Sequence, residues 1–187
     1  MPSAEDTSGL EFLLLSPCFM PGKKIFRENK TFVSVHPEQD EAVLFFCTDD
    51  QTDNPHCKDG RFRQFLWGKQ EGYNLCDLIV FYAQGTDKRV ICFTELKDNI
   101  KDVDHAVTQI ITTYNSLKKC IKLRYTAKAF IFACSGSLPQ EHQKYQQKLN
   151  QTFGSGNYEW NGKGDRFTEF LRGESKTGQG KRKQNKR

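Results

Sequence analysis

Long apolar runs are missing from this sequence of 187 residues. No stretch approaches the roughly 18 apolar residues that a membrane-spanning helix needs. The run over residues 10–15 is too short for the core of a signal peptide and lacks a basic start. We therefore expect no membrane segment and no membrane partner. Hydrophobic residues still make up 36% of the chain, which is enough for one domain with a real core.

Several common catalytic motifs are absent as well. The sequence has no P-loop, no dinucleotide-binding G-x-G-x-x-G, no nucleophile elbow G-x-S-x-G and no H-E-x-x-H zinc motif. The seven cysteines are scattered and odd in number, and none shows a C-x-x-C or Cys/His spacing typical of zinc sites. Most of them lie inside apolar segments. This distribution predicts reduced core thiols in a reducing compartment such as the cytoplasm.

The basic excess is concentrated at the end of the chain. The net charge is +5, and from Arg172 onward seven basic residues accompany one acidic residue. The segment after Gly173 has no apolar residues, which predicts a disordered basic tail over 172–187 behind a single domain over 1–171. We expect Lys181, Arg182 and Lys183 in this tail to contact nucleic-acid phosphates. A solubilising tail or a localisation signal is the alternative.

A second candidate for nucleic-acid contact lies over residues 61–67, with the sequence RFRQFLW. Its basic and aromatic residues alternate closely, so Arg61 and Arg63 are placed to follow a phosphate backbone while the aromatic rings stack on bases. The alternative is a short amphipathic helix with Phe62, Phe65 and Leu66 in the core.

The strongest strand signal lies at the centre of the chain. Residues 77–82 and 90–94 are β-branched and aromatic runs, and the polar segment between them contains a glycine, which predicts a hairpin. A hairpin that is symmetric about Thr86 places Asp77 directly opposite Glu95, with Cβ atoms roughly 5 Å apart. The period of two along a strand puts Lys97 on the same face as Glu95.

Apolar residues occupy both faces of this predicted hairpin, which indicates a sheet covered on both sides. Charged groups are seldom fully buried unless they are paired or metal-bound. Because Asp77 and Glu95 would repel each other, a divalent cation would stabilise the pair, and oxygen ligands favour a hard ion such as Mg²⁺. The simpler interpretation is a partly exposed Glu95–Lys97 pair at a strand end.

A helix and a further strand follow. Apolar residues at helical spacing predict a helix over 102–119, with Gln109 beside the apolar stripe. Residues 127–134 read as another strand, and the intervening helix makes a parallel pairing with the Glu95 strand plausible.

Asp77, then Glu95-Leu96-Lys97 on the next strand, then a helix, resembles the PD-(D/E)xK nuclease superfamily. The similarity covers residues 72–134, about a third of the chain, and Cys76 stands where the family name has proline. The resemblance implies a single α/β domain of restriction-endonuclease-like fold, with a mixed β-sheet flanked by helices.

The same resemblance implies a metal-dependent endonuclease that hydrolyses phosphodiester bonds of nucleic acid, with DNA favoured over RNA and Mg²⁺ favoured over Mn²⁺. Asp77 and Glu95 would be metal ligands, with the Leu96 backbone carbonyl as a third. Lys97 would orient or deprotonate the attacking water, and Gln109 would position water or phosphate. Many enzymes of this fold act as homodimers, so a second copy is a further expected partner. A catalytically inactive nucleic-acid-binding or interaction module on the same fold remains an alternative.

Overall fold

The structure, a computed structural model, describes Leu14 and residues 18–48, 61–67, 74–121, 124–135, 142–160 and 163–174, without the side chains of Arg61 and Ile100. The strands are β1 (Phe19–Met20), β2 (Ile25–Glu28), β3 (Thr31–Ser34), β4 (Glu41–Cys47), β5 (Leu78–Gln84), β6 (Lys88–Asn99), β7 (Thr126–Ser135) and β8 (Tyr158–Trp160). The helices are α1 (Arg61–Trp67), α2 (Val103–Cys120), α3 (His142–Phe153) and α4 (Phe167–Arg172). Short 3₁₀ turns precede α2 (Ile100–Asp102) and α4 (Gly164–Arg166).

A six-stranded mixed sheet forms the centre of the fold, in the order β1-β4-β5-β6-β7-β8. The strands from β1 to β6 pair antiparallel in that order, whereas β7 pairs parallel with β6, and β8 parallel with β7. Helix α2 connects β6 to β7, as the sequence predicts for a parallel pair. Mixed α/β architecture with a helix-flanked sheet is therefore confirmed.

The register of the central hairpin is the predicted one. Leu78 pairs with Thr94 and Ile79 with Phe93, and the ladder continues to Gln84 opposite Lys88. This ladder is symmetric about Thr86, so its next position towards the open end brings Asp77 to Glu95. A slip of one residue would have sent Asp77 to the opposite face of the sheet.

Both faces of the hairpin are covered. Alternate residues of β5 and β6 pack on helix α2 in one core, and the residues between them pack on the β2–β3 hairpin and α4 in another. The first core includes Ile79, Phe81, Ile91 and Phe93, and the second includes Leu78, Val80, Tyr82, Val90, Cys92 and Leu96. These are the two sets that strand alternation predicts. The charged end of the hairpin is thus enclosed by two apolar layers.

The β2–β3 hairpin reaches the same end of the sheet as the charged residues. Its turn contains Asn29 in the left-handed conformation, with φ 50°. The next residue, Lys30, donates its backbone N–H to Asp98 Oδ1 at 3.5 Å and accepts a hydrogen bond from Cys134 Sγ at 3.2 Å. These contacts join the turn to the segments of β6 and β7 beyond Glu95.

Two details of the tail and the end of the sheet differ from the sequence-based expectation. Arg172 does not belong to a disordered tail, because it is the last residue of α4 and its guanidinium binds both carboxylate oxygens of Glu41, at 2.6 and 2.7 Å. The segment 154–164 begins and ends with glycine and predicts irregular structure, but its residues 158–160 pair with β7 as β8. The predicted tail beyond Glu174 lies outside the described residues.

The expectation of reduced cysteines is confirmed for Cys18, Cys76, Cys92, Cys120 and Cys134, which are free thiols. It is wrong for Cys47, which is disulfide-bonded. Disulfide formation needs two cysteine Cα atoms within about 7 Å, a tertiary proximity that sequence spacing does not reveal. Among the described helices, none combines the length and the apolar character needed to cross a bilayer.

Candidate active site

Asp77 and Glu95 meet at the open end of the central hairpin and are almost fully buried, at 1% and 0% exposure. The Asp77 backbone N–H donates to Glu95 Oε2 at 3.2 Å. In return, Asp77 Oδ2 accepts the backbone N–H of Leu96 at 2.6 Å. Each carboxylate is therefore held by the backbone of the opposite strand. Both are fixed at the open end of the β5–β6 hairpin.

Lys97 joins this pair. Its ammonium forms an ion pair with Glu95 Oε1, and its side chain is 18% exposed while that of Glu95 is fully buried. Among these three residues, Lys97 is consequently the one that reaches solvent.

The electrostatics of the three groups follow from their burial. Burial, followed by the charges of Glu95 and Glu28, raises the pKa of Asp77 well above its usual range. Burial also raises the pKa of Glu95 to about 8, against the opposing attraction of Lys97. Burial alone would lower the pKa of Lys97, but the neighbouring Glu95 and Asp77 outweigh it and raise that pKa. The two carboxyl groups, Asp77 and Glu95, thus carry more potential negative charge than the single Lys97 ammonium can neutralise.

Glu28 is a fourth charged residue near the site, and no sequence pattern predicts its presence there. It is the last residue of β2, and its charge raises the pKa of Asp77 and of Glu95. Its Oε2 is buried. No motif connects Glu28 to the central hairpin, because a separate two-stranded sheet brings it there. The sequence signal at this position is an acidic residue that opens the polar segment Glu28-Asn29-Lys30, which predicts a tight turn between two short strands.

Two side chains of helix α2 make hydrogen bonds to the backbone of the segment that precedes Asp77. Gln109 Nε2 donates to the Leu75 carbonyl at 2.6 Å, and Thr113 Oγ1 accepts the Cys76 backbone N–H at 2.9 Å. Gln109 Oε1 is buried and has no hydrogen-bond partner among the described residues. The structure therefore places Gln109 against the backbone two residues before Asp77, where it orients this segment. Its expected contact with water or phosphate stays a prediction.

The donor set agrees with the chemistry of Mg²⁺ in part. Two adjacent carboxylates with raised pKa values are stabilised by a divalent cation, and Mg²⁺ is commonly bound through one or two carboxylates together with waters and substrate phosphates. No group of three or more His, Cys, Asp and Glu side chains is positioned to hold a metal ion in the described ranges. A cation here would depend on Asp77, Glu95, backbone oxygen and ligands from outside the protein. The Leu96 carbonyl as a ligand remains a prediction.

The other predicted nucleic-acid contacts lie away from the carboxylates or outside the described residues. Residues 61–67 form α1, with Phe62 and Leu66 in the core, as the amphipathic alternative predicts. The Arg63 guanidinium lies 5.9 Å from the centre of the Trp67 ring, and Trp67 Nε1 donates to Ser116 in the last third of α2. The Arg61 side chain and Lys181, Arg182 and Lys183 are not described. Binding of nucleic acid by these residues stays a prediction.

Comparison of the chain with protein-family models, with curated proteins and with solved structures finds no match.

Proposed function

We propose that this protein is a metal-dependent nuclease that hydrolyses phosphodiester bonds of nucleic acid, with DNA favoured over RNA. One observation carries the proposal: the buried carboxylates of Asp77 and Glu95 are fixed beside each other at the open end of the hairpin, and the Lys97 ammonium contacts Glu95. Uncompensated carboxylates are costly to bury, and strongly raised pKa values in such a place are typical of functional sites.

The arrangement of elements supports a restriction-endonuclease-like fold. Strand β5 follows Asp77, the antiparallel strand β6 carries Glu95 and Lys97, and helix α2 then crosses to the parallel strand β7. This is the order of elements that the resemblance to the PD-(D/E)xK superfamily implies. Helix α2 packs over the face of the sheet on which both carboxylates lie, and it holds the segment before Asp77.

Each residue has a role that follows from its environment. When bound, a divalent cation would polarise the scissile phosphate and acidify a coordinated water. Asp77 and Glu95, in their ionised forms, would hold that cation at the open end of the hairpin. The raised pKa of Lys97 keeps its ammonium charged, so we assign it to orienting the water and stabilising negative charge on the phosphate rather than to removing a proton. Gln109 would act by positioning the Leu75 backbone.

One observation favours a non-catalytic alternative. The reciprocal hydrogen bonds between Asp77 and the Glu95–Leu96 segment also close the open end of the hairpin, and Glu95 already has an ion-pair partner in Lys97. A purely structural cluster, on a protein that binds nucleic acid or another partner without cleaving it, would use the same contacts.

Cleavage assays separate the two functions. Supercoiled plasmid, single-stranded DNA and RNA are incubated with wild type, Asp77→Asn or Glu95→Gln, in Mg²⁺, Mn²⁺ or EDTA. The nuclease proposal predicts cation-dependent cleavage by wild type and a loss of at least about 100-fold in either variant, since removal of one charge-stabilising group typically costs this much. Glu174→Gln, at an exposed position, serves as the matched control and should cleave like wild type. If wild type cleaves none of the three substrates with either cation, the nuclease proposal is wrong.

A further inference from the structure

A basic pocket lies at the end of the sheet opposite the carboxylates. Its volume is about 490 Å³, and it is lined by the hairpin residues Asp87, Lys88 and Arg89 together with Arg124, Tyr125 and Thr126 at the start of β7. Three of these six residues are basic and one is acidic. A pocket of this size lies within the range that accommodates a ligand as large as a nucleotide.

The two guanidinium groups of the pocket are available to a ligand. Arg89 and Arg124 are both exposed, and neither guanidinium makes a hydrogen bond or ion pair within the described part of the chain. By contrast, the Lys88 ammonium is already bound to the Arg172 carbonyl, and Asp87 Oδ1 accepts a hydrogen bond from Thr86 at 2.9 Å. The planar guanidinium group binds phosphate oxygens in pairs, which an ammonium cannot do.

Tyr125 adds a rigid aromatic wall. Its ring packs edge-on against Phe81, with ring centres 5.5 Å apart and an interplanar angle of 87°. This contact holds the partly buried side chain against the apolar core, so a ligand would meet a preorganised aromatic group in the same pocket as the two free guanidinium groups. Aromatic side chains among cations are typical of sites that bind nucleotides without base specificity.

The position of the pocket relates it to the carboxylate pair. Arg89 and Glu95 lie six residues apart on β6, so both point to the same side of the sheet, about 20 Å apart at the usual rise of a strand. Successive phosphates on one strand of B-form DNA are about 3.4 Å apart along the axis, so this distance corresponds to about six nucleotides. Exposed Lys118 and Lys119 lie in the last turn of α2, at the same end of the sheet as the pocket.

We propose that this pocket binds a nucleotide unit of a nucleic-acid strand, with Arg89 and Arg124 holding its phosphate and Tyr125 contacting its sugar or base. The identity of the ligand rests on the proposed function, since a nucleic acid is the phosphate-bearing molecule on which the carboxylate site would act. The pocket itself anchors the strand and takes no part in cleavage.

Binding measurements on the full chain in EDTA test this proposal without cleavage. Fluorescently labelled 20-nucleotide single strands and duplexes are titrated with wild type, with Arg89→Ala/Arg124→Ala, and with the charge-matched control Lys24→Ala/Lys163→Ala. Lys24 and Lys163 are exposed and lie outside the pocket. The double arginine variant should bind at least tenfold more weakly, and its salt slope for duplex should fall by about 0.9, because the contact with one phosphate is lost. The control should change affinity by twofold or less.

Two outcomes would overturn the proposal. Equal losses of affinity in the arginine variant and the control would show that net charge alone explains the effect. Binding of inorganic phosphate or a mononucleotide as tightly as the 20-mers, with the same dependence on the two arginines, would assign the pocket to a small anion instead. Binding in EDTA separates this proposal from the nuclease proposal, because it depends on the two arginines whether or not the protein cleaves. Cleavage by wild type in Mg²⁺ reports on the carboxylate site alone.

Discussion

The backbone N–H of Asp77 donates to Glu95 Oε2 at 3.2 Å, so the first acidic residue of the site holds the second in place. This contact exists because Asp77 and Glu95 occupy facing positions at the end of the hairpin ladder. It places two carboxylates in an almost water-free position, where ionisation of both is unfavourable without a cation.

The stability of the cation-free protein should fall as the pH rises from 4.5 to about 8. Folding raises the pKa of Glu95 from 4.5 to about 8, so its contribution to stability is fully present below pH 4.5 and is lost as the pH rises through 8. Asp77 acts in the same direction because its pKa is also raised.

Urea unfolding in EDTA at several pH values measures this effect, with Glu95→Gln as the comparison. Glutamine mimics the protonated acid and cannot ionise, so the variant should lose less stability than wild type between pH 5 and pH 8. Glu174→Gln should follow wild type. Parallel curves for wild type and Glu95→Gln would contradict the raised pKa.

Thr113→Val should weaken cleavage more than it weakens cation binding. Thr113 Oγ1 accepts the buried Cys76 N–H at 2.9 Å, and valine leaves this donor without a partner at a cost of about 1–3 kcal/mol. The Asp77 segment should shift as a result, and a misplacement of this kind lowers the turnover rate by up to about 100-fold. The matched control is Thr112→Val on the same helix, whose hydroxyl makes no hydrogen bond to another described residue. Equal turnover in the two variants would show that this hydrogen bond does not position the site.

Arg172→Ala should destabilise the fold without changing the chemistry of the site. The guanidinium binds Glu41 through two hydrogen bonds, and this contact lowers the pKa of Glu41 to about 2. The Arg172 side chain is 15% exposed, so we expect a loss of about 2 kcal/mol, between the values typical of surface and buried ion pairs. Chemical unfolding gives this loss, and the pH dependence of cleavage should stay that of wild type. A changed pH profile would show that the Arg172–Glu41 contact affects the chemistry of the site, against this prediction.

Truncation after Glu174 should lower the affinity for nucleic acid without changing base preference. The removed residues include Lys176, Lys181, Arg182, Lys183, Lys186 and Arg187 and no acidic residue. Each phosphate contact that is lost lowers the salt slope for duplex by about 0.9. Binding of the full chain and of residues 1–174 is compared over a salt series. Equal affinities and slopes would leave the tail as a solubilising or localising segment.

The central hairpin could be predicted from the sequence because its information is local. Two apolar strands, a short polar loop and the symmetry about Thr86 determine which residues face each other, and the structure has that register. The two covered faces followed from strand alternation, and the helix before a parallel strand followed from apolar periodicity. The contact between Asp77, Glu95 and Lys97 therefore needed no tertiary information.

The remaining features depend on contacts between distant segments. Glu28 reaches the site through a separate hairpin, and Arg172 is ordered by Glu41, which lies 131 residues away in the chain. Composition places Arg172 in the basic tail, because charge alone does not reveal that Glu41 binds it. Strand β8 has three residues, too few for alternation to show, and it pairs with β7 through contacts that only the fold provides.

The most direct test of the central claim, that Asp77 and Glu95 form a cation site, is thermal melting of wild type and Glu95→Gln at pH 8 in EDTA and in Mg²⁺ at constant ionic strength. At ten times its dissociation constant, Mg²⁺ should stabilise wild type by about 1.4 kcal/mol, which corresponds to a rise in Tm of roughly 3–5 °C. Glu95→Gln should show no rise with Mg²⁺, and in EDTA it should melt at or above the temperature of wild type, because it removes a repelling charge. If wild type shows no Mg²⁺-dependent rise and Glu95→Gln melts well below it in EDTA, Glu95 and Lys97 are a structural ion pair and the cation site does not exist.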